Sequence, residues 1–302
     1  MNKITALDTN WVGHSHSIAA ALLESDDHLA IIDPGPESTL ATLREQLHAR
    51  NIAVADLDAI LLTHIHLDHA GATGTLVREN PGLAVYVHSK GAHHMVDPAK
   101  LLASAGRLWG DELKMLFGET LPVPVQNLRV LEGGETLPLG SRRLDIVYTP
   151  GHASHHVSYF DNAAGVAFVG DTAGVRIDNG HYILPATPPP DVDLTGWEQS
   201  FAAILGRRPD RLFLTHYGYA DDPAAHIGEF RERLHHWTAV AEKSLTGFSD
   251  ENAAKSDFVK ESRAEMVETL GQAEAEHYAF TAALDLSFLG LARYIRKRAS
   301  PQ

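Results

Sequence analysis

The sequence predicts an α/β (α+β) fold with a layered α/β or αββα arrangement of helices and strands, followed by a C-terminal helical appendage. Three observations predict this class. Short apolar runs alternate with stretches of helical spacing in the first third, the middle is rich in strands, and the chain beyond about Asp221 has no convincing strand. Strand runs with helices on both sides are typical of such a layered arrangement.

The first third of the chain is interpreted from its apolar runs and turn residues. Asp33-Pro34-Gly35 is a turn signal that ends one such run. We expect helices at residues 37–49 and 68–78, and strands at residues 17–23, 28–32, 57–62 and 83–87. Residues 95–118 carry leucines at helical spacing, which predicts either a pair of core helices or a lid over a pocket.

The middle and the end of the chain have different textures. Strands are expected at residues 129–131, 135–137, 142–148, 157–160, 165–169 and 211–215, and a helix at residues 193–205. From about residue 221 the chain is rich in Ala, Glu, Lys and Leu, with a joint near residues 244–256. We therefore predict a catalytic domain at residues 1–220 and a helical extension at residues 221–302.

Composition and charge narrow the class of protein. The 302 residues include 25 Lys and Arg against 39 Asp and Glu, which gives a net charge of -14. Because binding to phosphates needs a basic face, a nucleic acid or an anionic membrane is a poor expectation as partner. No segment has the length of a membrane span or the character of a secretion signal, so we expect a cytoplasmic protein. A small molecule is the expected partner, and a homodimer is one option for the oligomeric state.

The absence of cysteine restricts the chemistry further. With no cysteine in the chain, disulfides, thiolate ligands and cysteine nucleophiles are excluded. Any metal must therefore be held by histidine and carboxylate side chains.

The most informative segment is residues 63–69, Thr-His-Ile-His-Leu-Asp-His, which follows an apolar run. It places His64, His66, Asp68 and His69 within six positions. Side chains alternate along an extended chain, so His64 and His66 project to the same side. His64 and His66 can therefore bind one metal ion. Asp68 and His69, just past the turn, can bind a second. A solvated polar loop is a weak alternative for so dense a cluster.

Three other strand ends carry residues of the same chemical types. His152 follows the run at 142–148, Asp171 follows the run at 165–169, and His216 follows the run at 211–214. Any one of them alone would more often be an ordinary loop residue. Together with residues 63–69 they supply five histidines and two aspartates, ligand types that suit zinc, iron and manganese.

The set T-H-I-H-L-D-H, G-H, G-D-T and T-H resembles the metallo-β-lactamase-fold hydrolases, and within them the glyoxalase II-like branch. The similarity covers roughly residues 15–220 and includes the turns at 33–35 and 133–137. It implies a four-layer αββα sandwich with the site at one edge of its two sheets. It also implies a ligand set: His64, His66 and His152 for a first metal, Asp68, His69 and His216 for a second, and Asp171 as the bridge.

Other histidines and two tyrosines have weaker expectations. We expect His156 to be structural beside the ligands and His155 to be solvated. Surface positions are expected for His88, His93 and His94, and structural roles for His14 and His16. Tyr217, next to His216, is a candidate catalytic residue that donates a hydrogen bond to a substrate oxygen, and Tyr182 is a weaker candidate for the same role.

A two-metal site explains why the chain needs no serine or cysteine nucleophile. Two divalent ions about 3.5–4 Å apart can hold a water between them and lower its pKa toward about 7. The bridging hydroxide then attacks a carbonyl or phosphoryl centre, and Asp68 is placed to orient it or to relay its proton. Zinc is our first expectation for both ions, and iron and manganese suit the same ligands.

The expected function is a binuclear metal-dependent hydrolase, of glyoxalase II-like or lactonase-like type, that acts on a small acyl ester such as a thioester or a lactone. One alternative is a mononuclear iron oxygenase similar to the persulfide dioxygenases, which share the motif but use three ligands. A phosphodiesterase of the same fold is another, against which the acidic balance weighs. The substrate is left open, because residues 95–127 and the C-terminal helices match no family motif.

Overall fold

Two six-stranded sheets form the centre of the molecule. The computed structural model describes residues 2–177, 180 and 182–299. The first sheet has the order β1-β2-β3-β4-β5-β6, with strands Lys3–Asp8, Ala19–Ser25, His28–Ile32, Ala59–Leu61, Ala84–His88 and Leu128–Leu131. The second has the order β12-β11-β10-β9-β8-β7, where β7 to β12 are Thr136–Leu139, Arg142–Tyr148, Val157–Asp161, Val166–Phe168, Arg211–Leu214 and Gly218–Ala220.

Helices cover the outer faces of both sheets. In the first half of the chain they are α1 Leu40–His48, α2 Leu67–Ala70, α3 Thr73–Glu79, α4 Ser89–Val96, α5 Ala99–Trp109 and α6 Leu113–Phe117. In the second half they are α7 Leu194–Gly206, α8 Pro223–Gly247, α9 Glu251–Leu270, α10 Gln272–Thr281 and α11 Leu284–Ala299. None of the helices in the described residues is long and apolar enough to cross a membrane.

Three hydrophobic clusters hold these layers together. The central one lies between the sheets, where side chains of the first sheet such as Ile32 and Leu61 meet Ile146 and Phe168 of the second. A second cluster joins the outer face of the first sheet to α1 and α3. The third joins the outer face of the second sheet to α7 and the C-terminal helices. The four-layer αββα prediction is therefore confirmed.

Most of the predicted elements are present, with differences at their ends. The edge strands β1 and β12 are absent from the prediction. The helix expected at 68–78 is divided into α2 and α3. A Cβ on Gly71 would lie 3.1 Å from Cα of Pro36, so the chain divides where it passes closely over the turn at 33–36. The C-terminal joint is shorter than expected, because α8 ends at Gly247 and α9 begins at Glu251.

The C-terminal helices share their core with the second sheet. Trp237 of α8 and Phe258 of α9 are buried in the same cluster as Phe160 of β9 and Trp197 of α7. The Tyr278 hydroxyl on α10 donates a hydrogen bond to the carbonyl oxygen of Tyr182 at 2.7 Å. The division of the chain at residue 220 stays a prediction.

One buried histidine in the first turn of α8 predicts that the stability of the protein depends on pH. His226 is 6% exposed, and its Nε2 donates to the carbonyl oxygen of Ala173 at 2.8 Å. Burial is the main cause that lowers the pKa of His226 from 6.5 to about 4. The unfolded chain therefore binds a proton that the fold excludes, and stability is lost as the pH falls from 6.5 towards 4.

Between pH 7 and pH 5 this histidine should lower the free energy of unfolding by about 2 kcal/mol. We expect His226→Gln to remove that part of the loss, since the amide can donate to Ala173 but does not titrate. Urea unfolding of metal-depleted wild type and variant at both pH values measures the difference. If the free energy of unfolding changes equally between the two pH values in both proteins, His226 is not a neutral, buried residue.

Candidate metal centre

The predicted ligand residues converge at one edge of the two sheets. The structure brings them into two groups, within each of which the ligand atoms lie within 4.8 Å of one another. The first group is His64, His66 and His152, and the second group is Asp68, His69, Asp171 and His216. This division matches the one that the family resemblance implies for two metals.

The first group presents unprotonated nitrogens to one point. Nδ1 of His66 lies 2.9 Å from Nε2 of His152. Nδ1 of His152 donates to the carbonyl oxygen of Ala186 at 2.9 Å, which leaves its Nε2 with the lone pair. Burial lowers the pKa of His66 to about 4 and holds that of His64 well below its usual value. Both rings are therefore neutral at pH 7, the form in which imidazole binds metal.

In the second group, hydrogen bonds from Nδ1 orient the rings of two histidines. Nδ1 of His69 donates to Asp33 at 2.9 Å, and Nδ1 of His216 donates to the carbonyl oxygen of Ser17 at 2.6 Å. Each ring thereby turns Nε2 towards carboxylates: His69 lies 3.2 Å from Oδ1 of Asp171, and His216 lies 3.3 Å from Oδ2 of Asp68. Partners of this kind fix the tautomer of a metal-ligating histidine.

Asp171 lies between the two groups. Its Oδ2 is 3.4 Å from Nε2 of His152 in the first group. Its Oδ1 faces His69 and is 3.7 Å from Nε2 of His216 in the second group. The two oxygens of one carboxylate thus face the two groups separately.

The site has the donors that a divalent metal needs. Nε2 of His64 is buried and makes no hydrogen bond, and Nε2 of His69 and Oδ1 of Asp171, which lie 3.2 Å apart, make none with good geometry. Buried polar atoms without a partner are costly, and a cation among them would remove that cost. Histidine and carboxylate ligands suit zinc, iron and manganese. The cluster therefore implies a divalent metal, whose identity and number belong to the proposal below.

The charges of the second group are coupled. Burial opposes ionisation of Asp68, but His69 and His216 outweigh it and lower the pKa of Asp68 to about 2. Burial likewise disfavours the charged form of His69, but Asp171, Asp68 and Asp33 raise its pKa well above the usual value. The pKa of His216 is also raised, against the effect of burial, mainly by Asp171. Without metal, these two imidazoles therefore keep their protons to a higher pH than a free histidine does.

Metal loading of the second group should therefore release protons. Because the pKa values of His69 and His216 are raised, the protons are present at low pH and compete with metal. As the pH is lowered, we expect the apparent metal affinity to fall by about tenfold per pH unit for each proton that the metal must displace. Calorimetric titration of metal-depleted protein in buffers of different ionisation enthalpy measures the release. Binding without proton release would contradict this charge arrangement.

Asp33 is a site residue whose role the sequence interpretation missed. It is 0% exposed and accepts hydrogen bonds from Thr63 N at 2.8 Å, Thr63 Oγ1 at 2.7 Å and Thr215 Oγ1 at 2.8 Å, besides that of His69. It thus joins the loops that carry His64, His69 and His216. The signal that identified Asp171, an aspartate at the end of an apolar run, was also present at Asp33, which was interpreted only as a turn.

The neighbouring histidines follow the expectations in part. His156 is buried outside both groups, with Nδ1 3.0 Å from Thr149 Oγ1, as a structural role requires. The expectation of a solvated His155 is wrong, because its ring lies half-buried and parallel to that of His64, with centroids 6.1 Å apart. The surface expectation is also wrong for His88, which is 2% exposed and stacks on Tyr148.

Three further histidines and Tyr182 lie in different surroundings. His93 is exposed, and His94 is half-buried at the cavity described below. His14 stacks on Phe280 at 4.3 Å between centroids, a structural contact. Tyr182 is buried and its hydroxyl donates to Glu265, away from the metal groups.

Tyr217, the candidate catalytic tyrosine, lies beside His16. Its ring lies 4.7 Å from that of His16 and packs against the core between the sheets. It is not among the residues found to line the cavity over the site. The hydrogen bond from Tyr217 to a substrate therefore stays a prediction.

A cavity of about 550 Å³ opens over the two groups. His66, Asp68, His152, Asp171 and His216 lie among its lining residues. Much of the rest of its wall comes from α5, from the segment 186–191 and from residues 281–287 around the start of α11. Both regions without a family motif, 95–127 and the C-terminal helices, thus contribute to it. A volume of this size suits a small organic ligand.

The fold and the metal groups together define the class of the protein. The family model described as the metallo-beta-lactamase superfamily matches residues 16–216. The chain belongs to the metallo-beta-lactamase superfamily.

Individual relatives place the chain within that superfamily. It is 32% identical over 165 residues to a metallo-beta-lactamase fold-containing protein of Sulfurisphaera tokodaii, which covers 54% of this chain and 61% of the relative. It is 33% identical to a probable metallo-hydrolase of Bacillus subtilis, over 50% of this chain and 64% of the relative. A hydroxyacylglutathione hydrolase of Thermosynechococcus vestitus is 31% identical over 47% of this chain and 43% of its own. The resemblance to the glyoxalase II-like branch is therefore confirmed, although the match spans less than two thirds of each relative.

Solved structures agree on the fold. The archaeal superfamily protein from Sulfolobus tokodaii superposes with a TM-score of 0.68 at 21% identity, over 97% of this chain and 99% of that one. A family protein from Thermus thermophilus gives a TM-score of 0.70 at 18% identity, over 99% and 94%. At these identities the likeness concerns the fold.

Proposed function

We propose that this chain is a binuclear metal-dependent hydrolase that acts on small acyl esters, of the thioester or lactone type. The observation that carries the proposal is the position of Asp171, whose two oxygens face the two groups separately. A single-metal site uses only one group of three donors, and here a second group of four candidate donors lies beside the first. The hydroxyacylglutathione hydrolases among the relatives support thioesters as the substrate class.

The residues divide the work of holding the metals. His64, His66 and His152 would hold one ion, and Asp68, His69 and His216 the other, with Asp171 shared between them. When bound, two divalent ions, for which zinc is favoured, would activate a water and polarise the acyl carbonyl. No serine or cysteine nucleophile is then needed.

The chain's own residues supply orientation and proton handling. Asp33, Ala186 and Ser17 fix the ligand rings through the hydrogen bonds described above. Both carboxylates line the cavity, and the Asp68 side chain is 21% exposed against 4% for Asp171, so Asp68 is the more accessible of the two. Because the pKa of Asp68 is held at about 2, Asp68 is ionised at pH 7 and can accept a hydrogen bond from a water beside the acyl centre.

Metal content together with a substrate panel tests the proposal. Protein purified without chelator, then depleted and reloaded with zinc or manganese, is assayed on thioester, lactone, phosphodiester and persulfide substrates. We expect hydrolysis of a thioester or a lactone, lost by at least about 1,000-fold in His64→Ala. His93→Ala, which alters an exposed histidine outside both groups, is the control.

Two results would overturn the assignment. One iron per chain with oxygen uptake on a glutathione persulfide would indicate a dioxygenase. Phosphodiester cleavage without thioester or lactone cleavage would move the chain to the phosphodiesterases.

A further inference from the structure

The helix α5 presents two adjacent rows of side chains, one polar and one apolar, to the cavity over the metal groups. Lys100, Ser104 and Arg107 follow one another at helical spacing and all line the cavity. Leu101, with Ala105 and Leu108, forms an adjacent row on the same wall. Residues three and four apart lie on one face of a helix, so a polar, cationic row runs beside an apolar one.

The other walls are mainly apolar. The indole rings of Trp11 and Trp109 and the ring of Phe117 lie among the lining residues. Leu286 of α11 and the segment 188–190, which is Pro-Pro-Pro, complete this lining. A ligand that reaches the metal groups therefore passes along apolar surface.

The cations of the cavity stand out against the charge of the chain. The protein has a net charge of -14, but Lys90, Lys100 and Arg107 all line this cavity. We call these three residues the cationic rim, because all three are exposed to solvent. A cluster of one sign in a protein of the opposite sign focuses the field at that place.

In the part of the chain that the structure describes, the three residues of the cationic rim form no ion pair. Among the described residues Lys100 and Arg107 form no ion pair, and Lys90 donates to the Tyr148 hydroxyl at 2.7 Å. Besides Asp68 and Asp171, the acidic residue found in the lining is Asp191, whose carboxylate accepts hydrogen bonds from Ser154 N and Oγ. The rim therefore keeps its charge available for a ligand.

We propose that the substrate is an amphipathic anion: an acyl ester or thioester with an apolar, medium-chain or aromatic segment and a fixed negative charge away from the reacting bond. The reacting bond lies over the metal groups, the apolar segment along α5 and Leu286, and the anion at the cationic rim. This inference rests on the proposed hydrolase for the reacting bond, but the binding of an amphipathic anion is independent of it.

Binding is tested with two fluorescent probes that differ in one charge. The anion is 8-anilinonaphthalene-1-sulfonate, whose sulfonate is a poor metal ligand, and the neutral probe is 1-anilinonaphthalene. In zinc-loaded protein at low salt, we expect the double variant Lys100→Gln/Arg107→Gln to raise the Kd of the anion about tenfold more than that of the neutral probe. Added salt should weaken binding of the anion in the wild type.

The matched control removes the same charge elsewhere. Lys114→Gln/Lys260→Gln alters two exposed lysines that are not among the lining residues, and we expect the wild-type ratio of the two Kd values. Equal effects of both double variants would overturn the inference, since only the net charge would then matter. A fluorescence signal that is unchanged in Trp109→Ala and Leu286→Ala would also overturn it, because the probe would be bound elsewhere.

Hydrolysis separates this inference from the proposed function. The wild type and the rim variant are assayed on phenyl octanoate and on 4-(octanoyloxy)benzenesulfonate, which carries the negative charge on its leaving group. We expect kcat/KM for the sulfonate to fall about tenfold more than that for the neutral ester. Hydrolysis of both esters with equal losses would retain the hydrolase and reject the amphipathic anion. Selective binding of the anionic probe without any hydrolysis would retain the amphipathic anion as ligand and reject the hydrolase.

Discussion

Asp171→Asn is expected to reduce the metal content from two ions per chain to one and to lower kcat/KM about 1,000-fold. Asparagine keeps one oxygen of similar position but loses the second oxygen and the negative charge. Since the two oxygens of Asp171 face His152 and His69 separately, one group loses its shared ligand. A loss of several kcal/mol of transition-state stabilisation corresponds to a factor of about 1,000.

Mass spectrometry of metals and steady-state hydrolysis measure the two effects on the same preparations. Asp111→Asn, an exposed aspartate outside both groups, is the matched control, for which we expect two ions and full activity. If Asp171→Asn keeps both ions and its activity, Asp171 is not the shared ligand.

Asp33→Ala is expected to lower the free energy of unfolding of the metal-free protein by about 4 kcal/mol. The substitution removes a fully buried carboxylate and leaves the donors of Thr63, His69 and Thr215 without their acceptor. It also releases the ring of His69, so metal affinity should fall by a further factor of about 10 to 100.

Urea unfolding and metal titration measure these changes, with the exposed Asp27→Ala as control. Should Asp33→Ala fail to fold, Thr215→Val gives a graded test, because it removes one of the four hydrogen bonds at a cost of about 1 kcal/mol. Losses no larger than those of Asp27→Ala would show that Asp33 does not hold the site together.

The convergence of the candidate metal ligands was predictable because their signal is local. His64, His66, Asp68 and His69 lie within one short segment, and the strand ends that carry His152, Asp171 and His216 are visible as apolar runs followed by turns. Parallel and neighbouring strands bring such ends to one edge of a sheet, so spacing along the chain carries information about proximity in space.

The missed features depend on tertiary neighbours. Asp33 looks like any turn aspartate until Thr63 and Thr215 approach it from distant parts of the chain. His88 and His155 were expected at the surface, but α4 and the loop before β9 fold them against Tyr148 and His64. The cavity walls follow from packing too, since residues 281–287 meet α5 only in the folded protein.

Two of the four edge strands, β1 and β12, were missed for a related reason. β1 is recognisable by its antiparallel pairing with β2, from Lys3 opposite Glu24 to Asp8 opposite Ala19. β12 has three residues, Gly218–Ala220, and pairs with β11 after the loop that carries His216. Short edge strands have little hydrophobic pattern of their own, because pairing and not periodicity defines them.

The most direct test of the two-metal account is a stepwise zinc titration of metal-depleted protein with thioester or lactone hydrolysis as readout. We expect kcat/KM to require a second equivalent of zinc per chain, and His216→Ala, which removes a donor of the second group, to bind one equivalent and stay inactive. Full activity with one equivalent, or an active His216→Ala protein holding one ion, would contradict the account.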